Sequence, residues 1–488
     1  MPTTAQFWPP DPETPPARRP CGHQVRRLVA VAALVLAPLV QVPRADAWVW
    51  QHAGIDSSGD DLGQYNSIAV GSGGRIHASY YRYSSFSEGD RNLMYATRMP
   101  GSSAWSTTTA DPGESNGTFS SIALAPDGTP HVAYYQSEFA NLRHAWYDSS
   151  QAQWSTETVD AAGTVGQHAS IAVSPGGTVY IAYFDATTPA LKVASLPPGG
   201  SWTLTKVDTF GVVGLYTSIT ARSGVHVAYF DLTFTALKHA ALTGSNWTVQ
   251  TLDNAGDVGR FTSIDAYLGK VFIAYYDNSN HAVKVASREE GMWTVDTVDG
   301  FPDVGAGTAV AIDDFERPHM VYYNADDGDL RYAGRFRGVW LPNVVATGGD
   351  VGRYSGIAFE PGGLLPHLTY YDESQGTLRH ASGSGSPTGV PEDAVPAPGI
   401  VLGLSPNPIR GAGRIELTLP RPGTGALRVF DVQGRLLRSV FEGRIGEGTH
   451  VFSWDGRDET GRRLSSGVYF LNAVGGGEER TVRVVALQ

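Results

Sequence analysis

One pattern of residues recurs seven times along most of the chain, and this repeat constrains the fold more than any other feature. A tryptophan opens each copy, at spacings of 55, 49, 48, 45, 46 and 47 residues. These tryptophans are Trp50, Trp105, Trp154, Trp202, Trp247, Trp293 and Trp340. Each copy continues with a Ser-Ile-Ala-like segment after a Gly-rich turn, then a segment such as VHVAYFD (Val225–Asp231) and one such as ALKHA (Ala236–Ala240). A period of this length indicates a repeat architecture.

The four parts of each copy have the features of β-strands. Each is short, is rich in β-branched and aromatic residues, and is bounded by Gly, Pro, Asp or Asn. The segments lack the 3.6-residue apolar period of a helix. Four strands in about 40–50 residues make one blade of a β-propeller. The sequence therefore predicts an all-β fold in which residues 48–381 form a seven-bladed β-propeller.

The two ends of the repeat array predict how the ring closes. The array begins with a lone tryptophan strand, WVWQHAGID (Trp48–Asp56), and its last copy stops at LRHA (Leu378–Ala381) without one. We expect the N-terminal strand to complete the last blade, because this pairing leaves no unpaired sheet edge.

Residues 1–47 contain basic, apolar and small-residue segments in the order that is typical of a secretory signal peptide. Arg26 and Arg27 precede the apolar run LVAVAALVLAPLV (Leu28–Val40), and the small-residue sequence ADA (Ala45–Ala47) follows it. We expect the mature chain to be secreted or to lie on the cell surface, without a transmembrane segment. The one cysteine, Cys21, would leave with the signal peptide, so the mature chain would have no thiol.

The C-terminal part follows a predicted flexible linker, residues 382–399, which is rich in Gly, Ser and Pro. Residues 400–488 contain LSPNP (Leu404–Pro408), VFDVQGRLLR (Val429–Arg438), WDGRDETG (Trp454–Gly461) and SGVYF (Ser466–Phe470). In these motifs the segment resembles the Ig-like domain of flagellar hook-capping proteins, and equally the C-terminal sorting domains of type IX secretion. The resemblance implies a small β-sandwich without catalysis that serves export or surface attachment, with the secretion machinery as its partner. The chain ends VRVVALQ where the sorting families have a more basic strand, so a sorting signal and a spacer both remain open.

The net charge limits the possible partners. A formal charge of −12 argues against binding to the phosphate backbone of nucleic acids, and leaves cations, neutral glycans and proteins as ligands. We expect a monomer.

The segments that enter the innermost strands are the predicted binding site. They are GQYNS, GTFSS, GQHAS, GLYTS, GRFTS, GAGTA and GRYSG, and we expect them to be loops around the mouth of the central channel. Aromatic planes beside forked polar groups are suited to sugars or peptides. The predicted ligand-binding residues are Gln64, Tyr65, Phe119, Gln167, His168, Tyr216, Arg260, Phe261, Arg353 and Tyr354. The alternative is that these aromatic residues only pack between blades.

Two other recurring residue types have simpler interpretations. The acids that follow the tyrosine pair, such as Asp185, Asp231, Asp277 and Asp372, suit turns, with a Ca²⁺ or ligand role as the alternative. The recurring histidines occupy equivalent positions of different blades, which spreads them around a ring, whereas a metal site needs them to converge. The sequence predicts no metal site and no cofactor.

The regularity of the repeat favours binding over catalysis. The chain has no nucleophile elbow, phosphate loop, HExxH helix or EF-hand motif. An enzyme needs unique residues in one place, such as a carboxylate pair about 5–10 Å apart. The main irregularity is the segment RYSSFSEGDRN (Arg82–Asn92), which holds Glu88, Asp90 and Arg91. We predict a non-catalytic binding protein for carbohydrate or protein, without catalytic residues; a glycoside hydrolase or lyase distantly like sialidases, and a structural surface component, are the alternatives.

Overall fold

The computed structural model describes most of the chain after residue 47. The described ranges are 48–58, 61–84, 91–113, 115–289, 291–300, 303–336, 338–363, 365–384, 401–405, 409, 411–419, 423–431, 433–446, 448–475 and 478–486. All regular elements in these ranges are strands, and none of them contains a helix that is long and apolar enough to cross a membrane. The predicted signal peptide, Glu88 and Asp90, and residues 385–399 of the predicted linker lie outside the described residues.

Residues 49–384 form seven four-stranded antiparallel sheets, one for each predicted blade. Blade 1 contains β2 (Asp61–Val70), β3 (Ile76–Tyr83), β4 (Asn92–Arg98) and β5 (Trp105–Asp111). Blade 2 contains β6 (Asn116–Leu124), β7 (Pro130–Gln136), β8 (Asn141–Asp148) and β9 (Gln153–Asp160). Blade 3 contains β10 (Val165–Val173), β11 (Val179–Asp185), β12 (Ala190–Leu196) and β13 (Thr203–Asp208). Blade 4 contains β14 (Val213–Thr220), β15 (Val225–Asp231), β16 (Ala236–Thr243) and β17 (Asn246–Asp253).

The remaining three blades follow the same order. Blade 5 contains β18 (Val258–Tyr267), β19 (Lys270–Asp277), β20 (Ala282–Glu289) and β21 (Met292–Asp299). Blade 6 contains β22 (Val304–Ile312), β23 (Pro318–Asn324), β24 (Asp329–Phe336) and β25 (Val339–Ala346). Blade 7 contains β26 (Val351–Phe359), β27 (Pro366–Asp372), β28 (Thr377–Ser384) and β1 (Val49–Asp56). The innermost strands of successive blades contact one another in turn, and β26 contacts β2, which closes the ring.

The predicted closing strand is confirmed. Strand β1 pairs antiparallel with β28, from Val49 opposite Ser384 to Asp56 opposite Leu378. The last propeller strand therefore runs to Ser384, three residues beyond the predicted end at residue 381, because Val49 and its neighbours need pairing partners there.

The hydrophobic core lies between neighbouring blades. Successive side chains of a strand point to opposite faces of its sheet, so each blade packs on both sides. Tyr229 and Val227 of blade 4 belong to one buried cluster with Leu191 and Val193 of blade 3. The equivalent tyrosine is buried in every blade: Tyr80, Tyr134, Tyr183, Tyr229, Tyr275, Tyr322 and Tyr370. Burying such a side chain contributes roughly 2 kcal/mol, which explains why the segment recurs.

The recurring tryptophans cover the preceding blade. Trp154 of blade 2 packs edge-on against Tyr95 of blade 1, with ring centroids 4.9 Å apart. Trp293 of blade 5 packs in the same way against His239 of blade 4, at 5.0 Å. Each outermost strand therefore needs one large residue at its start, and this requirement produces the regular spacing.

Serine hydroxyls join the innermost strands of neighbouring blades. The Oγ atom of Ser67 in blade 1 accepts the main-chain N–H of Ile122 in blade 2, at 3.2 Å. The same contact is repeated by Ser121 with Ile171, Ser170 with Ile219, Ser218 with Ile264 and Ser263 with Val310. Blades 6 and 7 have Ala309 and Gly356 at the equivalent position. The serine of the Ser-Ile-Ala segment is thus a connection between blades.

The C-terminal residues form two antiparallel sheets. One sheet has the order β29-β30-β33 and the other β32-β31-β34-β35. The strands are β29 (Val401–Ser405), β30 (Gly413–Leu419), β31 (Gly423–Asp431), β32 (Leu436–Ile445), β33 (Gly448–Trp454), β34 (Gly467–Gly475) and β35 (Glu478–Ala486). Ile415 and Leu417 of the first sheet share a buried cluster with Leu427, Val429 and Leu471 of the second. Two sheets around one core are the β-sandwich that the resemblance implies.

Candidate functional site

The predicted binding segments are bulged strand ends and not the loops that the sequence predicts. In blade 3 the pairing of β10 with β11 shifts between Gln167 and Ser170, so His168 and the residue after it lie in a bulge. The bulge continues the innermost strand because Gly166, with a φ of +105°, allows it to pass close to the preceding blade: a Cβ atom there would lie 2.7 Å from the Cα atom of Leu142. The same shifts occur in all seven innermost strands.

Six blades place an aromatic residue in the left-handed backbone region at the bulge. These residues are Tyr65 (φ 50°), Phe119 (53°), His168 (55°), Tyr216 (51°), Phe261 (51°) and Tyr354 (49°). A hydroxyl of the following blade fixes this conformation. It belongs to the residue directly after that blade's own aromatic residue, and it donates a hydrogen bond to the carbonyl oxygen of the bulged residue in the preceding blade. Ser120 donates to Tyr65 at 2.7 Å, and Thr217 and Thr262 make the corresponding bonds to His168 and Tyr216.

The six aromatic side chains contact one another around the channel axis, and we call them the aromatic collar. Ring centroids of successive members lie 4.7, 4.9, 4.6, 4.8 and 4.8 Å apart along the order Tyr354, Tyr65, Phe119, His168, Tyr216 and Phe261. Their planes differ by 50–54°, close to one seventh of a full turn, about 51°. Burial lowers the pKa of His168 to about 4, so this histidine serves as a neutral ring at pH 7.

Blade 6 breaks the collar. It has Gly307 at the bulge, with a φ of +63°, and the carbonyl of Gly307 accepts a hydrogen bond from Ser355 of blade 7 at 3.0 Å. The backbone arrangement is therefore retained while the side chain is missing. The collar has six aromatic residues in seven positions, and its gap lies between Phe261 and Tyr354.

The predicted polar residues are held by acids of the preceding turns. Arg260 makes a two-point contact with Asp257, at 3.1 and 2.8 Å, and its guanidinium lies 5.4 Å from the ring centroid of Phe230. Gln64 donates to Asp61 at 2.8 Å, whereas Gln167 is half-buried beside His168. The acids that precede the binding segments thus orient the polar groups.

Arg353 lies beside the gap in a denser charge network. Its guanidinium contacts Asp350 at 3.2 Å and Glu373 at 2.9 Å, and lies over Tyr323. Burial works to lower the pKa of Arg353, but hydrogen bonding to Tyr323 and the nearby acids raise it above its ordinary value. Burial raises the pKa of Glu373; the charge of Arg353 acts against this rise, and those of Asp350 and Asp61 add to it. This part of the face offers fixed donors and acceptors next to aromatic surface.

The acids that follow the tyrosine pair are turn residues with an additional ion pair. Asp231 accepts the main-chain N–H of Phe234 at 3.1 Å and lies 3.6 Å from the Nζ atom of Lys238. Lys238 also bonds at 2.5 Å to Asp208 on the outermost strand of blade 3, which accepts the hydroxyl of Tyr229 at 2.8 Å. Lys192 and Lys284 occupy equivalent places in blades 3 and 5. A buried Asp-Lys-Asp arrangement thus links consecutive blades.

The recurring histidines form pairs within blades 2, 4 and 7, whereas His77 and His319 contact tyrosines. His131 and His144 lie 2.9 Å apart across the second and third strands of blade 2, and His226 and His239 lie 3.1 Å apart in blade 4. Their rings stack, as packing residues do. Within the ranges that the structure describes, no group of three or more His, Cys, Asp or Glu side chains could hold a metal ion.

One exposed aromatic pair lies outside the set of residues predicted from the sequence. Phe210 and Phe234 are 72% and 55% exposed, and their rings stack with centroids 5.9 Å apart. They lie in the turns before β14 and after β15, on the same face as the collar. The signal for them is that both turns of this blade have a phenylalanine where most other repeats have a small or polar residue, as in DTFG (Asp208–Gly211) compared with DAAG (Asp160–Gly163); Phe139 and Phe301 occupy one such position each in other repeats.

Comparison with known proteins identifies the C-terminal part. Residues 409–478 match the FlgD Ig-like domain, which confirms the resemblance to the hook-capping Ig-like domain. None of the curated proteins matches the chain.

The propeller is similar in fold to several solved structures. PorZ of Porphyromonas gingivalis, described as an essential bacterial surface component of the type-IX secretion system, has 12% identity and a TM-score of 0.42, with 88% of this chain and 60% of PorZ covered. The chain therefore spans about 60% of the length of PorZ. The six-bladed lectin of Aleuria aurantia has 15% identity and a TM-score of 0.40 over 61% of this chain and 98% of the lectin. The Hadza microbial sialidase Hz136 has 11% identity and a TM-score of 0.40 over 68% of each chain.

Proposed function

We propose that the chain is a non-catalytic binding protein, exported to the cell surface or beyond, whose propeller binds a carbohydrate or a protein through the aromatic collar. The observation that supports this most is that six aromatic residues are held in the left-handed backbone region around one channel mouth. A bulky residue in this region costs on the order of 1 kcal/mol or more.

Gly307 indicates that the aromatic side chains are not required to build the bulge. It adopts a φ of +63° and keeps the hydrogen bond from the next blade, without the strain of a side chain. Glycine would therefore serve at the other six positions if backbone geometry were the only requirement. We infer that the rings have a second role as a contact surface, beyond packing against one another.

The dimensions of the collar suggest how a ligand enters it. In a sevenfold ring, neighbours about 4.8 Å apart lie about 5.5 Å from the axis, and positions two steps apart lie about 8.6 Å from each other. The gap at Gly307 thus leaves room between Phe261 and Tyr354 for one planar group about 3.5 Å thick. Such a group would complete the ring at the stacking distances that the other members use.

The chemistry beside the gap defines the ligand class. Arg353 lies next to Tyr354, while Arg260 precedes Phe261, so both sides of the gap have guanidinium groups held by acids. A sugar ring has an apolar face and hydroxyls at its edge, and a tyrosine side chain has the same combination. The ligand is therefore a terminal sugar or an aromatic side chain of a partner protein. The predicted signal peptide and the FlgD Ig-like domain support its encounter outside the cell.

The test is a glycan array and a peptide-display library probed with the chain that begins at residue 48. We expect the wild type to bind one or more of these ligands. Tyr354→Ala and Gly307→Phe should each lower the affinity for them at least tenfold. The second variant fills the gap in a conformation that phenylalanine already adopts at position 261. Phe315→Ala removes a 60% exposed aromatic residue on the opposite face and should bind as the wild type does. Binding that survives both collar variants would refute the proposal, and so would the absence of any ligand.

A further inference from the structure

The channel has a second feature at the end opposite the collar. A cavity of about 420 Å³ lies there, lined by the final residues of all seven innermost strands. Its wall runs from Ile68–Val70 of blade 1 to Ile357–Phe359 of blade 7, and it also includes Arg222, Asp265 and Asp314. Because the innermost strands present their free edges to the axis, main-chain groups form much of this wall. The volume falls in the range of small-molecule sites.

Asp265 breaks the sevenfold symmetry of the cavity. The equivalent residues of the other blades are small: Ala69, Ala123, Ala172, Thr220, Ala311 and Ala358. One carboxylate oxygen of Asp265 accepts the N–H of Ile312 in blade 6 at 2.8 Å, and the other accepts the N–H of Ala266 at 2.8 Å. Burial raises the pKa of Asp265, although these hydrogen bonds and the charge of Arg222 act against the rise. A single half-buried carboxylate therefore stands where the other six innermost strands have a small uncharged side chain.

Arg222 shows what kind of group this end of the channel accepts. Its guanidinium donates to the carbonyl of Ile312 at 3.1 Å and to Asp314 at 2.7 Å, and it lies 3.8 Å from the ring centroid of Tyr267. Asp314 also accepts the main-chain N–H of Gly362 in blade 7. A cation from blade 4 thus reaches across blade 5 to acceptors of blade 6. The strand-end carbonyls and acids of the cavity already bind one guanidinium.

The balance of charge and hydrogen bonds leaves an excess of acceptors. The charge of Arg222 is matched by Asp314, so Asp265 and Glu360, which also lines the cavity, make it acidic. Serine hydroxyls already accept inner-strand N–H groups, such as those of Ile122 and Ile219, and Asp265 accepts that of Ile312. The wall is therefore better supplied with acceptors than with donors.

We propose that this cavity binds an organic cation, an ammonium or guanidinium group on a short carbon chain, with Asp265 as its counter-ion. The volume of about 420 Å³ is in the range of small organic ligands, and the described residues contain no group of three or more His, Cys, Asp or Glu side chains that could hold a metal ion. The side chains of Arg222 and Asp314, which also line the cavity, are 39% and 29% exposed, so solvent reaches this part of its wall. The site is separate from the collar, and its failure would leave the proposed function untouched.

Isothermal titration of the chain from residue 48 with agmatine and putrescine tests the proposal. We expect saturable one-to-one binding of these cations and none of 1,4-butanediol, the neutral counterpart of putrescine. Asp265→Asn should weaken binding at least tenfold. Asp127→Asn removes an exposed acid from a turn on the same face, outside the cavity, and should bind as the wild type does. Equal binding of the diol, or equal weakening by Asp127→Asn, would refute the proposal.

A second variant distinguishes a loss of binding from a folding defect in Asp265→Asn. Arg222→Ala removes the internal cation and should strengthen the binding of putrescine several-fold, an effect that destabilisation does not produce. Weaker binding by this variant counts against the proposal. Calcium chloride serves as the third ligand: if Ca²⁺ binds at the cavity more tightly than the amines, the site is a metal site and the proposal is wrong.

Discussion

The hydroxyl oxygen of Ser218, in blade 4, lies 3.0 Å from the main-chain nitrogen of Ile264, in blade 5. The two residues are separated by 46 positions in the chain, and the bond joins strands that belong to different sheets. Five of the seven junctions between blades have this contact. The sheets of neighbouring blades are not joined by a main-chain ladder of hydrogen bonds. Near the axis, these bonds from serine hydroxyls connect the blades instead.

Ser218→Ala should lower the free energy of unfolding by about 1–3 kcal/mol, because the buried N–H of Ile264 would lose its acceptor. Urea unfolding measures the change. The reverse substitution, Ala309→Ser, places a hydroxyl at the equivalent position of blade 6 and should raise stability by up to about 1 kcal/mol. Ser103→Ala, at an exposed position between β4 and β5, should stay within about 0.5 kcal/mol of the wild type. Equal effects of Ser218→Ala and Ser103→Ala would contradict the role of the hydroxyl.

Lys238→Met should destabilise the propeller by about 3–5 kcal/mol, because it leaves Asp208 and Asp231 buried without their counter-ion. Burial alone would raise the pKa of Asp208, but hydrogen bonding from Lys238 and its other partners keeps the value below normal. Lys206→Met, at an exposed lysine, is the matched control and should change stability by no more than about 0.5 kcal/mol. Chemical denaturation of both variants checks the difference.

Stability should fall as the pH drops from about 6.5 towards 4. Burial lowers the pKa of His131 and His367 to about 4, and that of His239 to about 3. In this window the unfolded chain binds more protons than the folded one, so stability is complete above pH 6.5 and is lost below it, by about 1.4 kcal/mol per pH unit for each histidine. Unfolding at pH 7, 6 and 5 measures the slope. His131→Gln should reduce the slope by one proton, and a flat profile would show that these histidines titrate normally.

Removal of residues 48–56 should abolish the cooperative folding of the propeller. The deletion takes away β1, the outermost strand of blade 7, together with Trp50, whose ring lies 5.2 Å from that of Tyr332 in blade 6. Strand β28 would then present an unpaired edge, which favours aggregation. Size-exclusion chromatography and circular dichroism compare the truncated and complete chains. A monomeric truncated chain with an unchanged melting temperature would show that closure by β1 is dispensable.

The arrangement of strands could be predicted from the sequence because it depends on local patterns. Alternation in segments such as VHVAYFD and the glycines around them define strands and turns, and the lone first strand defines the closure. The resemblance of the C-terminal motifs to the hook-capping Ig-like domain is confirmed by the family match.

The contacts between blades could not be predicted, because each joins residues about 20 or more positions apart. Asp208 and Lys238 are 30 positions apart, and no local signal shows that they meet. The bulge at His168 differs from the predicted loop because Gly166, a residue typical of turns, instead allows a close approach to the preceding blade. The binding roles of the collar residues remain predictions.

The pairing of Val49 with Ser384 has a kinetic consequence. These residues are 335 positions apart, so β1 can pair with β28 only after nearly the whole propeller has been synthesised. Closing so long a loop is slow, and we expect the final step of folding to be rate-limiting. Once the ring is closed, neither end of the propeller can peel away alone, and the lifetime of the folded protein is set by its rate of unfolding. Chains that stop short of blade 7 cannot close at all, so resistance to proteases should distinguish complete molecules from truncated ones.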